Sequence, residues 1–136
     1  MGLRPFPILL VTLALSACVK AAKTVKAHSP LASLAGSEWG PEGDEKSDQF
    51  IAFKAEGEVI GHSGCNRFFG SYDQSGDDLK FGPLASTKMA CPNLDQEQAF
   101  MSALQSARQI EATHLRLILK GEDGKPVLIL KRRDWD

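Results

Sequence analysis

From residue 49 onward the chain alternates. In Gln49-Phe50-Ile51-Ala52-Phe53-Lys54, Ile51 and Phe53 share one side of an extended chain, and Phe50 and Ala52 the other. That period of two predicts a strand. Ala55-Glu56-Gly57 has turn composition, and Glu58 to Gly61 can return as the hairpin partner. Phe68 to Tyr72 predicts another strand, Asp73 to Asp78 a turn, and Leu79-Lys80-Phe81 a strand that Gly82-Pro83 breaks. Leu84 to Met89 resumes an extended segment. Upstream, Leu34 to Trp39 reads as a short first strand or a leading loop, and Pro41 to Asp48 as a charged loop.

After Pro92 the period changes. Phe100, Ala103, Leu104 and Ala107 fall at i, i+3, i+4 and i+7, the spacing of one buried helical face. Asn93 with Gln96 three residues on has the form of a capping box. The pattern predicts one helix, Leu94 to about Ser106. Leu115, Leu117 and Leu119 then alternate with Arg116, Ile118 and Lys120, Gly121 to Gly124 turns, and Val127 to Lys131 answers as a strand. The sum is six to eight short strands and one helix. The fold class is mainly β (α+β): a curled antiparallel sheet or partly open barrel with one helix packed on it. A core of that size is marginal.

The first residues follow a different logic. Arg4 precedes an apolar stretch from Phe6 to Leu15, about ten residues and too short to span a bilayer. It ends in Leu15-Ser16-Ala17-Cys18, which resembles the bacterial lipobox. The resemblance implies a signal peptide over residues 1–17, cleavage before Cys18, and lipidation of Cys18. Two or more acyl chains anchor a protein stably without spanning. Val19, rather than Asp, after Cys18 resembles the outer-membrane sorting choice, facing the periplasm. Residues 18–33 read as a lipidated start and solvated tether, whose coil reaches roughly 20 Å. Residues 34–136 form the domain.

Charge narrows the function. The chain carries 16 basic and 17 acidic residues, net −1, which excludes a binding mode that needs a phosphate-neutralising excess of cations. Hydrophobic content of 43% with 24% charged residues is globular usage and excludes bulk disorder.

With Cys18 lipidated, Cys65 and Cys91 remain. An exported setting keeps thiols oxidised, so a Cys65–Cys91 disulfide is expected. Two separate buried thiols are the alternative. A bridge across 26 positions would contribute about 3.5 kcal/mol in the chain-entropy account.

Two segments are more specific than the rest: Gly64-Cys65-Asn66-Arg67-Phe68-Phe69-Gly70-Ser71-Tyr72 and Phe81-Gly82-Pro83-Leu84-Ala85-Ser86-Thr87-Lys88-Met89-Ala90-Cys91. With the Leu34-Ala35-Gly36-Ser37-Glu38-Trp39 opening and Glu97-Gln98-Ala99-Phe100 downstream, they resemble the META domain of the HslJ type, from about residue 31 to residue 132. The resemblance implies a small, mostly antiparallel β fold with one helix in an envelope setting. It also implies a role in stress, drug tolerance or virulence, and no catalytic activity to carry over. The residues have their own reading. Gly64 and Gly70 permit positive φ or close backbone approach, and Asn66 can bond local backbone groups. Thr87 and Met89 alternate on one face of an extended segment. Cys65, Asn66, Thr87, Met89 and Cys91 are read as one structural knot tying the 64–70 turn to the 84–91 segment.

Other chemistry fails its context. Gly61-His62-Ser63-Gly64 approaches a hydrolase elbow, but Cys65 stands where Gly is needed. A Cys65 nucleophile with His62 as base, or a metal held by His62, Cys65 and Cys91, would need free thiolates. Asp73-x-Ser75-x-Asp77 alternates oxygen ligands but lacks the closing Glu of a calcium loop. No catalytic residue, metal or cofactor is expected. The leading expectation is a non-enzymatic, lipid-anchored envelope protein. Its partners are a membrane, through the lipid, and an envelope protein, with no nucleic acid. A carrier of small apolar ligands and a periplasmic enzyme inhibitor presenting Ser71 to Asp78 are the rivals.

Overall fold

The computed structural model describes residues 31–134, together with Gly2. The lipobox with Cys18, most of the tether and Trp135 lie outside the described residues.

Among the described residues the chain forms nine antiparallel strands and one α-helix. They are β1 (Ser37–Pro41), β2 (Phe50–Phe53), β3 (Glu58–His62), β4 (Arg67–Ser75), β5 (Asp78–Phe81), β6 (Ala85–Ser86), α1 (Leu94–Ser106), β7 (Gln109–Ala112), β8 (Arg116–Lys120) and β9 (Pro126–Arg132). The sheet runs β3-β2-β1-β9-β8-β7-β5-β4, and β4 pairs back onto β3, so eight strands close into a ring while β6 hangs on the outside of β4. One long strand makes this possible. The first half of β4 pairs with β3 (Glu58↔Ser71 to His62↔Arg67), and its second half with β5 (Tyr72↔Phe81 to Ser75↔Asp78). The thinnest seam is β5–β7. It has one paired position, Asp78↔Gln109, plus Leu79 N–H to Arg108 O at 2.9 Å and Ile110 N–H to Asp77 O at 2.8 Å.

The inward positions fill the ring. Ile51 and Phe53 enter the core as the alternation predicts, beside Trp39, Val59, Phe68, Phe81, Leu117 and Leu130. Phe53 meets Tyr72 edge-on at 4.9 Å and Phe81 at 6.1 Å. Phe50, on the opposite side of β2, is covered instead by the Arg133 guanidinium, 5.5 Å from the ring centroid. Each buried aromatic or branched side chain contributes about 1.5–3 kcal/mol. α1 supplies Phe100, Leu104 and the following Ala107, and Phe100 stands 6.1 Å from Phe68. The interior that an apolar-ligand carrier needs is occupied by these side chains.

Four details differ from the sequence reading, each for a physical reason. β7 was not anticipated: Gln109-Ile110-Glu111-Ala112 buries only Ile110, too little for a period to show, yet it pairs with β8 over four positions. β4 continues through Asp73-Gln74-Ser75, whose turn-like composition hides a ladder with β5. The stretch from Ser71 to Asp78 is therefore a paired hairpin, and its tip, Ser75 to Asp78, is exposed. The capping box does not form. Asn93 caps through its backbone, its carbonyl accepting from Gln96 N–H at 3.2 Å and Glu97 N–H at 3.3 Å, and its side chain makes no cap bond. The folded domain also reaches back to Leu31, which packs on the core and donates its N–H to Ala112 O at 3.0 Å.

Tyr72, the chain's single tyrosine, donates its hydroxyl to Lys54 O at 3.0 Å. Partial burial raises its pKa above the ordinary 10.0 by disfavouring the phenolate. The neutral form is favoured by folding, so this contribution is full below the unfolded pKa and fades as pH climbs through the folded one. Ultraviolet titration of tyrosinate should give a midpoint above that of the urea-unfolded chain. An equal or lower midpoint contradicts the burial.

Candidate functional site

The β3–β4 turn, the segment after β6 and the first turn of α1 meet at one buried polar cluster. Gly64 makes the turn possible: its φ of +107° is open to glycine and strained for other residues. That turn points both Ser63 and Asn66 inward, with Ser63 N–H bonded to Asn66 O at 2.8 Å. His62 faces its own turn, its Nδ1 accepting from Gly64 N–H at 3.1 Å. Gly70 serves differently. A β-carbon there would lie 2.6 Å from Pro83 O, so only glycine lets the Gly82-Pro83-Leu84 crossing lie against β4.

Asn66 is 3% exposed and uses both ends of its amide. Its Oδ1 accepts from Thr87 Oγ1–H and Met89 N–H, both at 2.8 Å. Its Nδ2 donates to Met89 O at 3.3 Å and to the Glu97 carboxylate at 2.9 and 3.0 Å. The side chain thus replaces a backbone partner, which explains why regular pairing of the 84–89 segment stops at Ser86. Thr87 holds the adjoining position. Its N–H reaches Arg67 O at 3.0 Å and its Oγ1 accepts from Arg67 N–H at 3.2 Å.

Glu97 is the member that the sequence reading passed over as chemistry. It is 8% exposed and accepts from Asn66 and from Ser63 Oγ–H at 2.8 Å. Its place in the first turn of α1 sets the carboxylate near the positive end of the helix dipole. A signal was present: Glu97 lies three residues before Phe100, on the buried stripe, where an unpaired carboxylate is costly. Ser63, considered only as a nucleophile, is fully buried with its hydroxyl spent on Glu97.

Cys65 and Cys91 form a disulfide, with Cα atoms 6.0 Å apart. The bridge joins the β3–β4 turn to the start of α1, parallel to the Asn66 bonds, and removes both thiolates from any nucleophilic or metal-binding role. Met89 enters the knot through its backbone alone; its side chain is 57% exposed. Cys65, Asn66, Thr87, the Met89 backbone and Cys91 are therefore brought together, with Gly64 and Gly70 shaping the approach. Beside the knot lies a groove of about 460 Å³ bounded by Ser86 to Ala90 on one side and Leu94, Gln98 and Met101 on the other.

The sequence model of the META domain family matches residues 30–134. A solution structure of a protein from Burkholderia xenovorans superposes with a TM-score of 0.61 at 22% identity, over 85% of this chain and 99% of that one. A second solution structure gives a TM-score of 0.55 at 23% identity, over 74% and 90%. At these identities the likeness is one of fold. No curated protein matches the sequence.

Gly64→Ala forces a side chain into the left-handed region and should cost about 1–2 kcal/mol in denaturant unfolding. Ala at Gly43, another positive-φ glycine but one with open space around it, separates that strain from the knot. Similar losses at Gly64 and Gly43 assign the cost to backbone strain; a Gly64 variant as stable as the parent contradicts it.

Proposed function

The chain belongs to the META domain family, and from that premise we infer that it is a non-enzymatic, lipid-anchored protein of the bacterial envelope that works by binding another envelope protein, in stress or drug tolerance. The observation that carries this reading is the Cys65–Cys91 disulfide. Such a bridge persists in an exported, oxidising compartment, which agrees with the Leu15-Ser16-Ala17-Cys18 lipobox. The same bridge consumes the only cysteines of the domain, while Ser63 is buried against Glu97. Cys65, Cys91 and Ser63, the nucleophiles that the sequence offered, are thereby employed in holding the fold, which favours a binding role for the surface. Acyl chains on Cys18 would place that surface near the outer membrane, facing the periplasm.

Mass spectrometry of the native protein should find Cys18 as the first residue, bearing acyl chains, and Cys18→Ala should leave the membrane fraction. Photo-crosslinking in intact cells should give a discrete adduct with one envelope protein, lost or weakened when Cys18→Ala misplaces the chain. A native start at Met1 removes the anchoring, and crosslinks to lipid alone remove the partner.

A further inference from the structure

One edge of the sheet is open, and it borders the groove. β6 pairs with β4 at Phe69↔Ala85 and Phe68↔Ser86 and, among the described residues, with no strand on its other side. Thr87 N–H bonds to Arg67 O. Main-chain groups alternate in direction along an extended chain, so those of Ser86 and Lys88 point away from β4. No described group bonds to them. Across the groove α1 presents Leu94, Gln98 and Met101, and the exposed Met89 side chain stands at the rim.

An unpaired strand edge facing an apolar helix wall is the arrangement that receives an extended peptide: the edge supplies backbone hydrogen bonds and the wall takes alternate side chains. We propose that this groove binds an extended segment of a partner protein, added as a strand beside β6, with an acidic residue against Lys88 and apolar residues against Leu94 and Met101. The proposal rests on the partner-binding reading above and names its surface. Charge selects the occupant. Lys88 is exposed and joins none of the ion pairs among the described residues. A second copy would bring another lysine to the same short edge, an arrangement that opposes edge-to-edge pairing. A bilayer would leave the Ser86 and Lys88 main-chain groups without hydrogen-bond partners.

The test uses residues 18–136, which contain every strand and the helix of the described residues, with Cys18→Ser to leave the chain unlipidated. The probe is a blocked hexapeptide of alternating glutamate and valine, followed by amide NMR. Saturable shifts should centre on Ser86, Lys88 and the first turns of α1. Affinity should fall at least tenfold for the lysine–valine analogue, for an analogue N-methylated at alternate residues, and for the Lys88→Glu chain, which should instead prefer the lysine peptide. Binding that ignores N-methylation or charge overturns strand addition, as does the absence of binding or shifts mapped elsewhere. Crosslinking in cells separates the two levels: an adduct attached far from β6 overturns this surface and leaves partner binding standing, whereas no protein adduct overturns both.

Discussion

The Asn66 side chain is the constraint on which the rest of the structure depends. One amide group satisfies an exposed strand segment through Thr87 and Met89, and a buried carboxylate through Glu97. These pieces are distant in sequence, more than 20 residues from Asn66 in one case and 31 in the other. Hydrogen bonds to a charged group contribute about 1.5–3 kcal/mol each. Removing one partner of a buried charge costs about 3–5 kcal/mol, because the remaining charge stays desolvated. Aspartate would lack the donors and place two carboxylates together. The disulfide, nominally about 3.5 kcal/mol, joins the same β3–β4 turn to the chain just before α1 and acts in parallel with the amide. Chain entropy is reduced by one and geometry is specified by the other.

The knot also explains how a domain with a thin β5–β7 seam stays closed. β4 is the strand shared between β3 and β5, and its starting point is set by the Gly64 turn. Fixing the turn fixes the register of β4 on β3. That register places Phe68 inward against Phe100 and Phe69 outward, and a slip of one residue would exchange them. α1 is held at its N-terminus by Glu97 and along its length by Phe100 and Leu104. The side of α1 that lines the groove is positioned by the same contacts.

Most of the fold was legible because its cores are periodic. β2, β3, β8 and α1 each carry two or more buried residues at the correct spacing, β9 flanks its buried Leu130 with the half-buried Leu128 and Ile129 in an apolar run, and each lies close to the bounds its pattern predicts. The failures share a cause. β7 has one buried residue, the second half of β4 is polar, and Asn93 caps with its backbone; in each case the stabilising partner is across the fold and not adjacent in sequence. Of the knot, Gly64, Cys65, Asn66, Gly70, Thr87 and Cys91 were visible as residues that answer backbone needs. Met89 was visible for the wrong atoms, since its main chain bonds and its side chain is exposed. Glu97 was hidden by its charge. A carboxylate in a first helical turn is usually read as solvated, and only the three-dimensional position of Ser63 and Asn66 shows why it turns inward.

The central claim is that Asn66 and Glu97 act as one unit. A double-mutant cycle with Asn66→Ala, Glu97→Ala and the pair, followed by urea unfolding with the disulfide intact, measures that directly. Asn66→Ala, which leaves the buried carboxylate short of donors, should cost about 3 kcal/mol, Glu97→Ala, which leaves the neutral Ser63 and Asn66 donors unpaired, about 1–3 kcal/mol, and the pair at least about 1.5 kcal/mol less than the sum. Additivity to within about 0.5 kcal/mol would mean that the two residues stabilise the domain independently, and the knot described here would not exist as a unit.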